Sequence, residues 1–370
     1  MTDWKVTYMK NVFGNSITIT LFGESHGSEI GAVLDGLAPG LEVDMDFIRG
    51  QLELRKPHGQ ISTQRVETDE PKIVSGVFEG KTTGTPLCIL FENQNTKSKD
   101  YSKTKDLMRP GHADFTAIQK YHGFADYRGG GHFSGRITTP IVACGAILLH
   151  ALQKKGIYIG SHIKKCGPFM DREFDNYVDD IKELEKMRFP VLDRGSAESI
   201  HQYMTQAAKE GDSVGGILET VVTGIPAGVG EPWFDTMESM LAHGLFSVPA
   251  VKGVEFGKGF AFADMKGSEA NDAFEMQEDR VVTKTNNNGG INGGITNGMP
   301  VLFRTVIKPT PSIYKEQDTI NVASQTNERI QIQGRHDPAI IHRARVVVDS
   351  MTALVVSDML ALRFGTDWLR

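Results

Sequence analysis

Clustered glycine is the feature of this sequence that most limits how the chain can fold. Glycine makes up 40 of the 370 residues, about 11% against an average near 7%. No collagen-like period accompanies it, and the glycines concentrate in polar segments at Gly23–Gly27, Gly129–Gly131 and Gly289–Gly294. Glycine inside a helix or strand costs backbone entropy, whereas in a loop it allows tight turns and close approach to a ligand. The sequence therefore predicts a site built from loops.

Charge and cysteine content exclude several classes of protein. The formal net charge is −6, which argues against a general nucleic-acid binder, so bound anions must be attracted by local clusters of Arg, Lys and His. Cys88, Cys144 and Cys166 form no C-x-x-C pair, which argues against a disulfide framework and a cysteine-based zinc site. We find no secretory signal and no run of roughly 18 apolar residues. We expect a soluble cytoplasmic protein without metal, nucleic-acid or membrane partners.

Residue patterns predict short strands alternating with helices. β-Branched and aromatic runs bounded by Gly, Pro or Asn predict strands at Ser16–Phe22, Lys72–Phe78, Pro86–Phe91, Val214–Val222, Val254–Ala263 and Pro300–Ile307. Capping residues and apolar periodicity predict helices at Asp44–Leu54, Asp114–His122, Pro140–Lys155, Ser196–Glu210, Asp235–Phe246 and Ala344–Arg363. The apolar run of the last helix indicates deep burial.

Two segments of the chain resemble each other. Glu29–Leu52 and Ser213–Leu241 both predict a strand, a Pro/Gly turn, an acidic cap and an amphipathic helix. A chance match between two common units and a duplicated half-fold closing around one core both explain this echo. Because no Pro/Ser-rich or low-complexity segment breaks the chain, we expect one domain over residues 1–370.

The first candidate functional segment is Gly23-Glu24-Ser25-His26-Gly27, directly after a predicted strand. Its two glycines allow a tight turn that exposes Ser25 and His26. A serine beside a histidine suggests a hydrolase, but sequence neighbours rarely face each other as nucleophile and base, and the G-x-S-x-G elbow is absent. A turn with solvated polar side chains is the alternative.

The second candidate segment is Arg109-Pro110-Gly111-His112-Ala113-Asp114. Pro and Gly force a turn, and Asp114 is predicted to cap the following helix. His112 would lie just before a helix N-terminus, where backbone N–H groups attract anions. Arg109 supplies a bidentate fork suited to phosphate or carboxylate. A structural histidine is the alternative to a functional one.

Three further segments carry donors beside glycine or proline. The Gly129–Gly131 loop suits close approach of N–H groups to a ligand, although neither a P-loop nor a dinucleotide-binding motif is present. Asn286–Gly294 and Lys308–Ser312 combine tight turns with a rigid edge rich in hydrogen-bond donors. In Gly334–Pro338 the proline keeps Asp337 extended beside a cation. Flexible or solvated turns are the alternative in each case.

Together these segments resemble the chorismate synthase family. The matches run in chain order along nearly the whole sequence, and FGESHG and RPGHAD are the most specific. They are GNS and FGESHG within Gly14–Gly27, Ser75–Pro86, Ser98–Asp114, DYRGGG, Ala250–Gly257, Asn292–Gly294, IKPTPSI and GRHDP. By this resemblance residues 1–9 form a short N-terminal lead.

The resemblance implies a fold and an assembly. The fold is α+β, a β–α–β sandwich in which antiparallel sheets enclose a helical layer, with the internal echo as a pseudo-repeat of two halves. The family is tetrameric, so we expect a homotetramer.

The resemblance also implies a reaction of the shikimate pathway, which leads to the aromatic amino acids. The reaction converts 5-enolpyruvylshikimate 3-phosphate to chorismate and phosphate by a 1,4-anti elimination and requires reduced FMN, although there is no net redox change. Substrate and cofactor bring a phosphoester, two carboxylates and a second phosphate. A protein with a net charge of −6 must therefore gather cations in its site.

The resemblance assigns roles to individual residues. His26 would donate a proton to the leaving phosphate, His112 would contact and protonate the pyrimidine side of the reduced flavin, and Asp337 would help remove the C6 proton together with flavin N5. The substrate anions would be bound by Ser25, Arg55, Arg109, Ser134, Arg136 and Arg335. The FMN pocket would comprise His132, Phe133, Ser134, Ala250, Gly293, Lys308, Pro309, Thr310, Pro311, Ser312 and Arg335.

Two segments depart from the family pattern. The basic segment Leu54–Arg65 lacks one usual arginine, which leaves contacts by Lys56, His58 and Arg65 open. His132 stands where many members have arginine, and phosphate affinity would then depend on pH.

Two rival functions have distinct tests. The first is a flavin-binding or flavin-storage protein that keeps the fold without catalysis, which would release no phosphate. The second is an enzyme that reduces its own flavin with NADPH. Because no dinucleotide-binding motif is present, we expect an external flavin-reducing system as partner.

Overall fold

A computed structural model gives the fold and describes residues 10–59, 61–62, 68–94, 105–332 and 336–370. Within these residues helices and antiparallel sheets are mixed, which confirms the predicted α+β class. The helices are α1 Met45–Arg55, α2 Asp114–Tyr121, α3 Thr138–Lys154, α4 Tyr177–Leu184, α5 Arg194–Lys209, α6 Met237–Ser247, α7 Gly267–Ala270 and α8 Ile341–Phe364. The strands are β1 Val12–Phe13, β2 Thr18–Gly23, β3 Glu29–Asp35, β4 Lys72–Ser75, β5 Val77–Phe78, β6 Lys81–Thr82, β7 Leu87–Glu92, β8 Tyr158–Cys166, β9 Phe169–Met170, β10 Gly216–Thr223, β11 Val251–Phe256, β12 Phe274–Gln277, β13 Arg280–Thr283, β14 Ile291–Asn292, β15 Ile295–Thr296, β16 Val301–Ile307, β17 Gln317–Asn321 and β18 Thr326–Ile330.

Two five-stranded antiparallel sheets form the framework. The first has the strand order β1-β2-β3-β7-β4, and the second has the order β11-β16-β10-β8-β9. In the first sheet Gly23 pairs with Ile30, so the Glu24–Ser28 segment is the turn of the β2–β3 hairpin. This register places Ser25 and His26 at one end of the sheet.

The helices α3 and α8 pack against each other and lie against the sheets, α3 mainly on the first sheet and α8 on the second. Helix α3 contacts β3 and β7, while α8 contacts β8 and β10. The segment Gly135–Lys154 has the length and apolar composition of a membrane-crossing helix, which the sequence expectation missed, but 89% of its most apolar window is buried inside the fold. Burial of these two helices supplies about a third of the buried apolar core residues.

The two segments that echo each other in sequence occupy corresponding places. Strand β3 is central in the first sheet and is followed by α1, which packs on α3; β10 is central in the second sheet and is followed by α6, which packs on α8. Both therefore have the predicted strand–turn–helix order. Helix α1 has the predicted acidic cap, Asp44, whose side chain accepts from Asp46 N and Phe47 N. The cap of α6 is Thr236 and not Asp235, which lies in a preceding 3-10 turn.

Two predicted strands are shorter than expected because glycines with positive φ interrupt them. The Lys72–Phe78 segment breaks at Gly76, where φ is +81° and an added Cβ would lie 2.5 Å from Leu87 Cα. The Val254–Ala263 segment ends as a strand at Phe256, before Gly257 with φ +54°, and continues as the 3-10 turn Gly259–Asp264. Because the residues on either side of each glycine favour strands, the sequence pattern did not predict either break.

A fully buried charged group lies in the second sheet, remote from the candidate functional segments. His162 on β8 has Nδ1 2.7 Å from Asp171 Oδ2 and Nε2 3.3 Å from Glu219 Oε1. Burial alone would lower the pKa of His162, but the two carboxylates raise it above its usual value. Burial likewise opposes ionisation of Asp171 and Glu219, yet hydrogen bonds from His162 and other donors keep their pKa values below the usual range.

We expect His162→Gln to destabilise the protein by about 3 kcal/mol near pH 6, because it removes the ion-pair partner of the buried Asp171 and leaves Glu219 with only Arg304 and Lys164. A raised folded pKa means that the contribution of His162 is fully present below its unfolded pKa of about 6.5 and is lost as the pH rises through the folded value. The carboxylates contribute above their unfolded pKa values of about 4 and lose that contribution as the pH falls. Urea unfolding at pH 6 and pH 9 should therefore show a smaller gap between wild type and variant at pH 9.

His201→Gln is the matched control, because His201 is exposed on α5. We expect it to change the free energy of unfolding by less than about 0.5 kcal/mol at both pH values. A gap for His162→Gln that widens with rising pH would contradict a charged, paired imidazole.

Candidate active site

A large cavity collects most of the polar segments singled out in the sequence. Its volume is about 2250 Å³, above the 300–1,000 Å³ typical of a pocket for one small ligand. The described residues in its wall include eight Lys or Arg and six Asp or Glu side chains, so the wall is net positive although the chain is net negative. The cationic residues are Arg55, Lys105, Arg109, Arg136, Lys252, Lys308, Arg329 and Arg343. This arrangement suits anionic ligands.

The β2–β3 turn brings His26 into the cavity wall, while Ser25 is fully buried behind it. Ser25 Oγ lies 3.1 Å from His26 Nδ1 and donates toward the carbonyls of Arg128 and Gly129, at 3.3 and 3.2 Å. Because the single hydroxyl proton is directed at a carbonyl, Oγ is left to accept from Nδ1–H of His26. A nucleophilic serine would need the opposite polarity, so this geometry argues against the hydrolase interpretation.

The Gly129–Gly131 loop touches both candidate histidines, His26 and His112. All three glycines have positive φ. A Cβ added at Gly129 would lie 2.1 Å from His26 Cε1, and one added at Gly130 would lie 3.2 Å from His112 Cε1. Gly129 is thus required by both its backbone conformation and the position of His26. The predicted approach of its N–H group to a ligand stays a prediction.

We expect Gly129→Ala to destabilise the protein by about 1–3 kcal/mol, because the new methyl group strains a left-handed residue and overlaps the His26 ring. Gly50→Ala is the control, since Gly50 lies within α1 and its added Cβ would contact nothing within 4 Å. That control should stabilise the protein by up to about 1 kcal/mol through helix propensity. Urea unfolding of both variants measures the contrast, and equal effects of the same sign would contradict the steric role of Gly129.

The RPGHAD segment forms a compact charged triangle in the cavity wall. Asp114 Oδ1 is 2.7 Å from Arg109 Nη2 and 2.9 Å from His112 Nδ1, and Asp114 Oδ2 is 2.8 Å from Arg109 Nε. Burial alone would raise the pKa of Asp114, but hydrogen bonds from Arg109 and His112 hold it well below its usual range. The prediction that Asp114 caps α2 is wrong: Ala113 is the N-cap position, and the Asp114 carboxylate turns back to the loop.

Arg55 and Arg136 share one buried carboxylate, Asp69. Arg55 Nη2 donates to Asp69 Oδ2 at 2.9 Å, and Arg136 Nη1 donates to Asp69 Oδ1. Burial, together with the nearby Arg343 and Arg136, lowers the pKa of Arg55 to about 10, although Asp69 favours its charged form. Burial would raise the pKa of Asp69, but the two arginines keep it below its usual value.

The two arginines differ in how many of their donors are used. Arg136 also donates to Asn93, Thr139 and the Glu92 carbonyl, which leaves it about one free N–H. Arg55 Nε is buried and has no hydrogen-bond partner among the residues that the structure describes. A buried guanidinium N–H without a partner is costly, so Arg55 is a strong candidate to bind an anion.

Three of the residues predicted for a flavin pocket, His132, Phe133 and Ser134, lie just before the N-terminus of α3. His132 Nδ1 donates to the Gly23 carbonyl at 2.8 Å, and the Phe133 ring packs edge-on against Tyr121 at 6.1 Å between centroids. Ser134 Oγ accepts from Arg136 N at 3.3 Å and caps the turn before α3. These side chains line the cavity.

The opposite wall is formed by the 308–312 segment and the start of α8. Lys308 Nζ donates to the Gly111 carbonyl at 2.6 Å, and its backbone N–H donates to the Ala250 carbonyl at 2.9 Å. Thr310 Oγ1 donates to the Asp337 carbonyl at 2.5 Å, while the Asp337 side chain lies 3.4 Å from Arg343 Nη1. Ala250, Lys308, Thr310, Pro311, Ser312 and Asp337 all line the cavity.

Some predicted site residues lie elsewhere. Gly293 is exposed in the β14–β15 turn and does not line the cavity, and Pro309 lines a smaller recess of about 310 Å³ behind the 308–312 segment. Ser25 faces the glycine loop, not the open cavity. Arg335 and Arg65 are outside the described residues.

Sequence reasoning missed Asp69 and Arg343 and misassigned Asp114. Asp69 follows a segment without a recognisable motif, and its partner Arg136 is 67 residues away. Arg343 directly precedes the predicted last helix, and its position six residues after Asp337 was the available signal. For Asp114 the signal was the spacing Arg-x-x-His-x-Asp within one tight turn.

An exposed group outside the cavity has the composition of a metal site. Ligand atoms of Glu42, Asp44 and His150 lie within 4.8 Å of one another. Lys154 forms an ion pair with Glu42, and Asp44 caps α1. These existing partners account for the carboxylates without a metal ion.

Comparisons with known proteins point to one family. The family model described as chorismate synthase matches residues 17–361. Chorismate synthase of Thermococcus kodakarensis is 43% identical over 350 residues, covering 95% of this chain and 97% of that protein. Chorismate synthase of Chitinophaga pinensis is 45% identical over 352 residues, with 95% and 97% covered.

A solved structure gives the same result for the fold. A crystal structure of chorismate synthase superposes with a TM-score of 0.74 at 26% identity and covers 95% of this chain and 94% of that one. The resemblance seen in the motifs thus extends over the fold and nearly the full chain. Because the family model matches residues 17–361 and the relatives are 43–45% identical over 95% of the chain, the chain belongs to the chorismate synthase family, a family of lyases.

Proposed function

We propose that this enzyme converts 5-enolpyruvylshikimate 3-phosphate to chorismate and phosphate by a 1,4-anti elimination that depends on reduced FMN. The observation that carries the proposal is the net-positive cavity in which the buried Arg55 keeps an N–H without a partner among the described residues. A phosphoester with two carboxylates supplies the acceptors that such a group requires.

The residues present fit an FMN molecule beside this substrate. The cavity volume of about 2250 Å³ accommodates two ligands. Glycines at 129 and 130 keep its floor free of side chains. We propose that FMN is held by His132, Phe133, Ser134, Ala250, Gly293, Lys308, Pro309, Thr310, Pro311, Ser312 and Arg335. Gly293 and Pro309 lie outside the cavity of the single chain. We therefore propose that they contact FMN only in the homotetramer.

The substrate anions would be bound by cationic and hydroxyl groups around the α3 and α8 N-termini. We propose Ser25, Arg55, Arg109, Ser134, Arg136 and Arg335 for this role. Arg55 is supported by its unpartnered Nε, Arg136 has about one N–H left, and Ser25 would act by fixing His26. The two helix N-termini add positive potential.

Three side chains would handle protons. His26 would donate to the oxygen of the leaving phosphate, His112 would hold a proton toward the flavin, and Asp337 would accept the C6 proton. The ion pair with Arg343 keeps Asp337 oriented toward the cavity. Reduced FMN, when bound, would supply an electron-rich ring and a basic nitrogen.

The test is anaerobic release of phosphate from 5-enolpyruvylshikimate 3-phosphate by the purified protein with dithionite-reduced FMN. We expect phosphate and chorismate in equal amounts, and none with oxidised FMN. A protein that binds FMN but releases no phosphate would be a flavin-binding protein only. Turnover in air with NADPH and no added reductase would show that the enzyme reduces its own flavin, against the external flavin-reducing partner that we propose.

We further propose a homotetramer of single-domain chains in the cytoplasm, each built from two duplicated halves that enclose the helical layer. Large exposed aromatic side chains support association, since isolated chains rarely expose so many. Phe124, Trp233, Phe234 and Phe260 are each more than 80% exposed. The matching environments of β3–α1–α3 and β10–α6–α8 support the duplication.

A further inference from the structure

The carboxylate of Asp114 organises the loop that carries His112. Oδ2 accepts from the backbone N–H and the Nε–H of Arg109, at 3.0 and 2.8 Å, while Oδ1 accepts from Arg109 Nη2 at 2.7 Å. Oδ1 also lies 2.9 Å from Nδ1 of His112. With its side chain 19% exposed, Asp114 is held at four points by two neighbours. Its orientation is therefore fixed before any ligand binds.

This geometry determines which ring nitrogen of His112 carries a proton when the ring is neutral. The pKa of Asp114 is held below its usual range by Arg109 and His112 despite burial, so the carboxylate is ionised and can only accept. Nδ1 must then donate, because a lone pair on Nδ1 would face the negative oxygen. Arg109 Nη2 also lies 3.1 Å from Nδ1 and carries a second N–H, but Oδ1 is closer to Nδ1 at 2.9 Å, so the Nδ1–H bond to the carboxylate is favoured.

The other edge of the His112 ring faces the glycine loop of the cavity. A Cβ added at Gly130 would lie 3.2 Å from His112 Cε1 and 3.4 Å from Nε2. Both His112 and Gly130 line the cavity. The nitrogen that is not occupied by Asp114 is therefore the one on the ligand side.

We propose that Asp114 is a positioning residue that holds His112 as the Nδ1–H tautomer and so makes Nε2 the atom that exchanges a proton with a ligand in the cavity. This proposal depends on the proposed function, because it takes the ligand to be reduced flavin. When the charged ring acts, the Nε2–H bond breaks and the proton passes to the ligand. The Nδ1–H bond to Asp114 persists, and the ring becomes neutral.

The direct test is the nitrogen-15 spectrum of histidine-labelled protein without cofactor, in which the His112 signals are identified by their loss in His112→Ala. We expect the wild-type neutral ring to show protonated Nδ1 and unprotonated Nε2. In Asp114→Ala the nearest group to Nδ1 is the Arg109 Nη2 donor, so we expect the tautomer to switch to Nε2–H. A wild-type ring with its proton on Nε2 would overturn the proposal, even if the variant failed to fold.

The second readout separates turnover from binding. For Asp114→Ala we expect kcat to fall about 100-fold, with the Kd for oxidised FMN and the KM for substrate within about threefold of wild type. Asp46→Ala is the matched control, because Asp46 also lies in the first turn of a helix but is 96% exposed and outside the cavity. Loss of FMN binding in parallel with kcat, or a kcat within about threefold of wild type, would overturn the proposal. A failure of the proposed function would appear separately, as a wild-type protein that releases no phosphate while its tautomer is still measurable.

Discussion

His112→Ala is expected to lower kcat for phosphate release by about 1,000-fold while FMN binding stays within about threefold of wild type. The reason is the position of the ring between Asp114 and Gly130, with one nitrogen occupied by a carboxylate and the other on the cavity side. The His112 side chain is 18% exposed and lines the cavity. Removal of the ring therefore takes away a proton donor more than a binding surface. Anaerobic steady-state kinetics and quenching of FMN fluorescence measure the two quantities.

His201→Ala is the control for a lost imidazole outside the cavity. It should leave kcat within about threefold of wild type. Turnover by His112→Ala near the wild-type value would remove His112 from the reaction. Equal loss of FMN affinity and turnover would instead assign it to cofactor binding alone.

Asp69→Ala is expected to destabilise the protein by about 3–5 kcal/mol, because it leaves Arg55 and Arg136 buried without their shared counter-charge. Both arginines are at least 90% buried and reach Asp69 from different elements. Unlike the carboxylate of a surface ion pair, the Asp69 side chain is only 1% exposed, so solvent replaces it poorly. Urea unfolding monitored by tryptophan fluorescence measures the change.

Glu70→Ala is a sharp control because it removes the same charge from the neighbouring residue. Glu70 pairs with Arg49 at the surface, where 62% of its side chain is exposed, and such pairs contribute at most about 1 kcal/mol. Equal destabilisation by the two variants would show that the buried cluster contributes no more to stability than the exposed ion pair. Asp69→Asn should fall between them, since an amide keeps one hydrogen bond but not the charge.

Local features of the fold were accessible from the sequence because their causes are local. The Asp44 cap and the first helix occur where the pattern predicted them, within one residue. Gly129, Gly130 and Gly131 all have positive φ, in keeping with the loop predicted there, because the conformational freedom of glycine can be inferred from the sequence alone. The contacts of this loop with His26 and His112 are tertiary and were not predicted. The family resemblance added the order of the pieces and was confirmed over residues 17–361.

Features that depend on distant partners were not accessible. Asp69 gains its role from Arg136, and Asp358 of α8 accepts three backbone N–H groups from Asn15 to Ile17, more than 300 residues earlier. Neither the hydrophobic periodicity nor the residue spacing of the sequence predicts such pairs. The misassigned Asp114 shows a related limit. Its carboxylate could accept either from the backbone N–H groups at the start of α2 or from the side chains of Arg109 and His112, and the hydrogen bonds with the charged arginine are the stronger ones.

The central claim is that one cation-lined cavity binds substrate and flavin together, and a crystal structure of the protein with oxidised FMN and 5-enolpyruvylshikimate 3-phosphate tests it most directly. We expect both ligands in the cavity between the Gly129–Gly131 loop and the 308–312 segment, with Arg55 Nε donating to a substrate anion oxygen at about 2.9 Å. We also expect His112 Nε2 on the side of the flavin. Ligands bound elsewhere, or an Arg55 side chain without contact to either ligand, would contradict the claim.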